Sequence, residues 1–145
     1  MSDFRKLDDK VLASPQISLA DIAAAKALGV RLVVNNRPEG ESDDQVPGGQ
    51  IEAAARTAGM DYVAIPITHS GFSHGQVDAM AQALANSDGP VLAYCRSGTR
   101  STLLWALAEA SQGKDADALT RSAQQAGYDL TPIRAMMDML AANRT

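Results

Sequence analysis

The chain has 145 residues, enough for one domain with a core of its own and too few for two ordinary ones. A hydrophobic share of 46% excludes disorder, and a net charge of −4 without a basic stripe argues against binding to nucleic acid or a membrane surface. One cysteine excludes an intramolecular disulfide and a multi-cysteine zinc site. The opening MSDFRKLDDK is charged, with no apolar signal core, and no run is long and apolar enough to span a bilayer. The expectation is a single domain over residues 1–145, soluble and cytoplasmic, with no metal or cofactor.

Apolar runs alternate with helix-like stretches along the chain. Lys10–Ala13 reads as a short first strand. Ser18, with Asp21 three residues on, opens a helix through a capping box, and Gly29 closes it after Leu28. Val30–Asn35 (VRLVVN) is short, β-branched and apolar, the pattern of a strand covered on both faces. Asn36–Gly49 is a polar loop with two prolines and three glycines. A helix over Gln50–Ala58 ends at Gly59, and Met60–Ile65 is the next strand. Pro66–Ser73 is a loop, after which Ser73 and Gln76 form a second capping box. Gly89-Pro90 breaks that helix ahead of a buried strand, Val91–Tyr94. A helix from about Arg100 to Ser111 carries only Glu109 as a charge beyond its first residue, so it should be buried nearly all round. Two helices follow, Asp115–Ala126 and Thr131–Ala142, the second with Thr131 as N-cap and Pro132 at its first position.

Strands alternating with helices imply an α/β sandwich with a mostly parallel central sheet. In such sheets ligands bind beyond the carboxyl ends of the strands. Cys95 follows the strand 91–94 directly, and the loops carrying Arg37 and His69 follow two other strands. The three loops are expected to meet at one edge of the sheet.

CRSGTRS (95–101) lies between that strand and the long helix. Backbone N–H groups at a helix N-terminus point into such a loop, and the helix dipole adds positive charge. These surroundings stabilise a thiolate on Cys95 and form a cradle for a tetrahedral oxyanion. Gly98 lets the backbone turn its amides inward. Arg100 can hold two oxygens at once, and Ser101 can hydrogen-bond the sulfur or an oxygen. The alternative is that Cys95 is a small buried hydrophobe, the usual fate of a free cysteine. Arg37, at a strand end, is a further candidate for the anion. Glu39, Glu41, Asp43 and Asp44 lack the spacing of a calcium loop and read as a solvated face. Trp105 with Leu103, Leu104 and Leu107, and Met136, Met137 and Met139 near the end, read as core. His74 reads as exposed in a first helical turn.

Cys95–Arg100, a Cys-x4-Arg pattern, resembles the phosphate loop of protein tyrosine and dual-specificity phosphatases, Cys-x-x-Gly-x-x-Arg-Ser/Thr. It departs from it in having one residue fewer between Gly98 and the arginine, and in Tyr94 where those enzymes usually have histidine. YCRSGTRS also resembles the loop of single-domain rhodaneses, which carry a persulfide on cysteine, but their upstream Asp-x-Arg and Gly-His-Ile-x-Gly-Ala stretches are missing. QISLADIAAAKALGVRLVVNNRPEGE (16–41), IEAAARTAGMDYVAIPIT (51–68), GFS (71–73) and VLAYCRSGTRS (91–101) resemble a bacterial beta-lactamase-hydrolase-like, dual-specificity-phosphatase-like family. The likeness covers about residues 10–110, and Asn35-Asn36-Arg37-Pro38, Gly40-Glu41 and CRSGTRS are its most specific pieces.

This resemblance implies a single-domain protein tyrosine phosphatase-like α/β fold and a cysteine-dependent phosphoric monoester hydrolase. Cys95 would be the nucleophile. Arg100 and the amides of Arg96, Ser97, Gly98, Thr99 and Arg100 would bind the anion with Arg37, and Ser101 would assist the thiolate. Such enzymes take their general acid from a loop before the phosphate loop. Here PITHSGFS (66–73) holds no Asp or Glu, which leaves His69, a side chain that ordinarily titrates near neutrality. The expected partner is a small phosphate- or sulfur-containing substrate or a phosphoprotein. Sulfur transfer through a Cys95 persulfide, or anion binding with little turnover, are the other readings. Fusions of relatives to sulfur-metabolism modules keep the first of these open.

Overall fold

A computed structural model describes residues 2–143. Its sheet has five strands: β1 (Arg5–Lys6), β2 (Val11–Ser14), β3 (Leu32–Asn35), β4 (Asp61–Ala64) and β5 (Val91–Tyr94). Their spatial order is β1-β2-β5-β3-β4, with β1 antiparallel to β2 and the other neighbours parallel. The expected fold class is what the structure has. β1, a two-residue edge strand, carries too short a pattern to be read from sequence.

The helices are α1 (Leu19–Ala27), α2 (Gly48–Thr57), α3 (His74–Asn86), α4 (Thr99–Ser111), α5 (Ala116–Gln125) and α6 (Arg134–Ala142). Both capping boxes form: Ser18 with Asp21 opens α1 and Ser73 with Gln76 opens α3. The last helix departs from expectation. Thr131–Ile133 is a turn of 3-10 helix containing Pro132, and α6 begins only at Arg134. Thr131 lies inside that turn and makes no cap; its amide and hydroxyl both donate to Asp129, at 2.9 and 2.6 Å.

Side chains alternate across the central strands and so divide the core in two. Leu92, Tyr94 and Val33 face α1 and α2, where they meet Ile22, Ala25, Ile51 and Ala55. Val91, Ala93 and Val34 face the larger layer that includes Met80, Trp105, Leu119 and Met137. Helix α4 is buried at every position from Ser101 to Ala108, as its lack of charge implies. Met139, by contrast, is 46% exposed.

Register places the site. Tyr94 pairs with Ser14 on one side and Asn35 on the other, and Asn35 pairs with Ala64. Four parallel strands thus end in one row. The loops that start at Pro15, Asn36, Ile65 and Cys95 leave the same edge, with the Cys95 loop in the middle because β5 lies between β2 and β3.

Candidate active site

Cys95 directly follows β5 and is fully buried. Burial alone would suit an inert thiol; its hydrogen bonds set it apart. Gly98 is the N-cap of α4, with φ of 90°, in the left-handed region that favours glycine. This turn brings its amide back to donate to Cys95 Sγ at 3.1 Å. The amides of Arg96, Ser97, Arg100 and Ser101 meet no protein acceptor among the described residues. They are the orphan donors expected around a helix N-terminus. Thr99 is different, since its amide donates to Ser97 Oγ, which in turn donates to Thr99 Oγ1.

Arg100 is held from two loops. Its Nη1 and Nη2 donate to the two Glu41 carboxylate oxygens at 2.7 and 2.8 Å, and Nη1 also donates to the Ile67 carbonyl at 2.7 Å. Glu41 occupies the end of the guanidinium and Ile67 the outer side of Nη1. Among the described residues the Nε–H and the second Nη2–H meet no oxygen acceptor, and side by side they have the fork geometry that grips two oxygens of a tetrahedral anion. The Glu41 carboxylate, and beyond it the Cys95 sulfur, push the Arg100 pKa up and keep it charged.

Glu41 is the main correction to the expectation of a solvated acidic face. It also accepts from Arg37 Nε at 2.9 Å, and the hydrogen bonds from Arg100 and then Arg37 pull its carboxyl down to about 2. Arg37 is placed otherwise than as an anion ligand. It is 4% exposed, with its guanidinium committed to Glu41, Gln16 and Ser42. It therefore braces Glu41. Asn35 and Asn36 complete this stretch. Asn35 Oδ1 accepts from the Arg37 amide, while the Asn36 side chain donates to the Ile65 carbonyl and accepts from the Ser101 hydroxyl at 2.8 Å. Ser101 is thus bonded to Asn36 and not to the sulfur, because both are buried where α4 passes the end of β3.

Arg96 and Ser97 are exposed on the outside of the loop. His69 is exposed in the loop between β4 and α3, two residues beyond the Ile67 carbonyl that holds Arg100. His74 is exposed in the first turn of α3. Tyr94 is 1% exposed, its hydroxyl has no hydrogen-bond partner among the described residues, and burial pushes its phenol well above the ordinary value. Two cavities lie elsewhere. One of about 400 Å³ is lined by Asp8, Leu84 and Glu109, and one of about 710 Å³ separates α1 from α2. Cys95 lines neither. Sequence reasoning missed Glu41, Gln16 and Asn36 as site residues, and Tyr128, whose hydroxyl reaches the Ser97 carbonyl at 3.3 Å.

The phosphatase-like domain of beta-lactamase hydrolase-like proteins matches residues 3–112. A beta-lactamase hydrolase-like protein of Agrobacterium fabrum is 34% identical over 75% of this chain, and the match takes up 25% of that protein. This chain therefore spans about a quarter of that curated relative. A crystallised candidate phosphatase of Neisseria meningitidis is 33% identical, with a TM-score of 0.84, over 97% of this chain and 99% of its own. Pseudomonas aeruginosa TpbA, solved in complex with pTyr, shares the fold at 20% identity, with a TM-score of 0.67 over 97% and 88% of the two chains.

Proposed function

Because the chain belongs to the phosphatase-like domain family of beta-lactamase hydrolase-like proteins, we propose that it hydrolyses a phosphate ester through a phosphocysteine. The carrying observation is that the Gly98 amide on the Cys95 sulfur and the free fork of Arg100 belong to one loop at a helix N-terminus. In the first step the Cys95 thiolate attacks phosphorus; the S–P bond forms as the P–O bond to the leaving group breaks. The free loop amides and the Arg100 fork take the non-bridging oxygens, whose charge they stabilise. In the second step water attacks phosphorus, the S–P bond breaks, and the thiolate is restored with release of phosphate.

The leaving oxygen needs a proton unless it is already a good leaving group. Glu41 cannot supply it: with a carboxyl near 2 it stays ionised, and both its oxygens are committed to Arg100. His69 is the titratable side chain of the preceding loop and takes the role of general acid. Ser101 and Arg37 act behind the site by holding Asn36 and Glu41.

The test is hydrolysis of an activated aryl phosphate from pH 5 to 8, with wild type beside Cys95→Ser. Such an ester leaves without help, so a weak acid does not mask the chemistry. Turnover that vanishes with Cys95→Ser supports the mechanism. No turnover from folded protein overturns it and returns the choice to sulfur transfer, visible as a persulfide mass increase on Cys95 after thiosulfate.

A further inference from the structure

Tyr128 lies beyond the segment matched by the family, in the turn after α5, yet it touches the nucleophile's loop. The peptide between Ser97 and Gly98 makes this consequential. In a trans peptide the carbonyl and the N–H point in opposite directions. Here the Ser97 carbonyl accepts from the Tyr128 hydroxyl at 3.3 Å, while the Gly98 N–H donates to Cys95 Sγ at 3.1 Å. One phenol on the outside therefore sets which way the amide on the inside points.

The contact is steric as well as polar. A Cβ built on Gly98 would lie 2.2 Å from the Tyr128 hydroxyl, so the phenol rests directly on the glycine. Tyr128 is itself anchored: it is 6% exposed, its amide donates to Ala123, and the Arg5 guanidinium lies 5.2 Å over its ring. Arg5 Nη1 also donates to the Ala126 carbonyl. Strand β1 and the turn after α5 thus converge behind the loop.

Such a lock answers a need created by the glycine. Gly98 is required for the turn, with φ of 90°, but glycine adopts either sign of φ at little cost, so the preceding peptide can flip. A flipped peptide would turn the Ser97 carbonyl toward the sulfur, where its oxygen would repel both a thiolate and the oxygens of a bound anion.

We propose that Tyr128 is a positioning residue whose hydroxyl locks the Ser97–Gly98 peptide with its N–H toward Cys95. Its effect on turnover rests on the phosphatase reading; its effect on the sulfur does not. Tyr128→Phe removes the hydroxyl and keeps the ring and its contact with Arg5. It should lower kcat/KM on an aryl phosphate about tenfold, the net worth of one hydrogen bond. It should also move the acid limb of the pH profile to higher pH and slow alkylation of Cys95 by iodoacetate, with the circular dichroism spectrum unchanged. Arg5→Met, which loosens the ring but keeps the hydroxyl, should show the same changes to a smaller extent.

Slower alkylation together with a displaced acid limb supports the lock. A merely structural tyrosine would lower the melting temperature and move neither. Wild-type alkylation rate and pH profile in Tyr128→Phe overturn the proposal, and leave the phosphatase reading standing if wild type hydrolyses the ester. If wild type hydrolyses nothing, that reading fails separately, and alkylation alone decides the lock: slowed supports it, unchanged overturns it.

Discussion

Replacing Glu41 by Gln keeps the shape of the side chain and removes the charge shared by two arginines. Glu41, Arg37 and Arg100 side chains are 17%, 4% and 17% exposed, so solvent replaces little of the lost interaction. The drop of the Glu41 carboxyl from 4.5 to about 2 is caused chiefly by the Arg100 hydrogen bonds. It corresponds to an upper bound of about 3 kcal/mol in the folded state. Partial exposure and salt screening reduce the working figure to about 2 kcal/mol. The sign follows from the depressed carboxyl. The stabilisation is fully present above the unfolded value of 4.5 and is lost as the pH falls toward about 2. Urea unfolding of wild type and Glu41→Gln should therefore differ by about 2 kcal/mol at pH 7 and by less than half of that at pH 3. Turnover should fall about 10–100-fold at pH 7, since Arg100 loses the carboxylate that aims its fork. A stability gap that is the same at both pH values would refute the reasoning, as would wild-type kcat/KM in the variant.

Gly98→Ala forces a side chain into positive φ and against the Tyr128 hydroxyl. It should cost about 3 kcal/mol, read as a lower midpoint in thermal or urea unfolding, and Tyr128→Phe in the same chain should restore part of it. Ser101→Ala strands the buried Asn36 Oδ1, so stability should fall by about 1–2 kcal/mol in urea unfolding while aryl phosphate turnover persists. A Ser101→Ala enzyme as dead as Cys95→Ser would instead make that hydroxyl part of the chemistry. His69→Ala, in an exposed loop, should leave the urea midpoint and hydrolysis of an activated ester unchanged and slow only alkyl phosphates. Equal rates on alkyl phosphates would remove His69 as the acid.

Short-range features follow from local sequence alone. Ser18 with Asp21 and Ser73 with Gln76 determine two helix starts, because a capping box closes within three residues. The both-face-apolar runs determine buried strands, and the order strand, Cys95, Gly98, Arg100, helix determines a loop that turns its amides inward. The family likeness singled out NNRP and GE, but it could not say what each residue does there. Tertiary structure decided that, because the partners are far apart in the chain. Glu41 meets Arg100 across 59 positions, Ser101 meets Asn36 across 65, and Tyr128 meets Ser97 across 31. Local spacing carries no information about such pairs. The first two exist because β5, fourth of the parallel strands in sequence, is inserted between β2 and β3, which brings the loops after these strands to one edge; the third exists because the turn after α5 packs against the Cys95 loop. An acidic residue in a polar loop such as Glu41 looks solvated until the sheet order places a guanidinium over it, and Tyr128 carries no local signal because only tertiary packing brings the turn after α5 to the Cys95 loop.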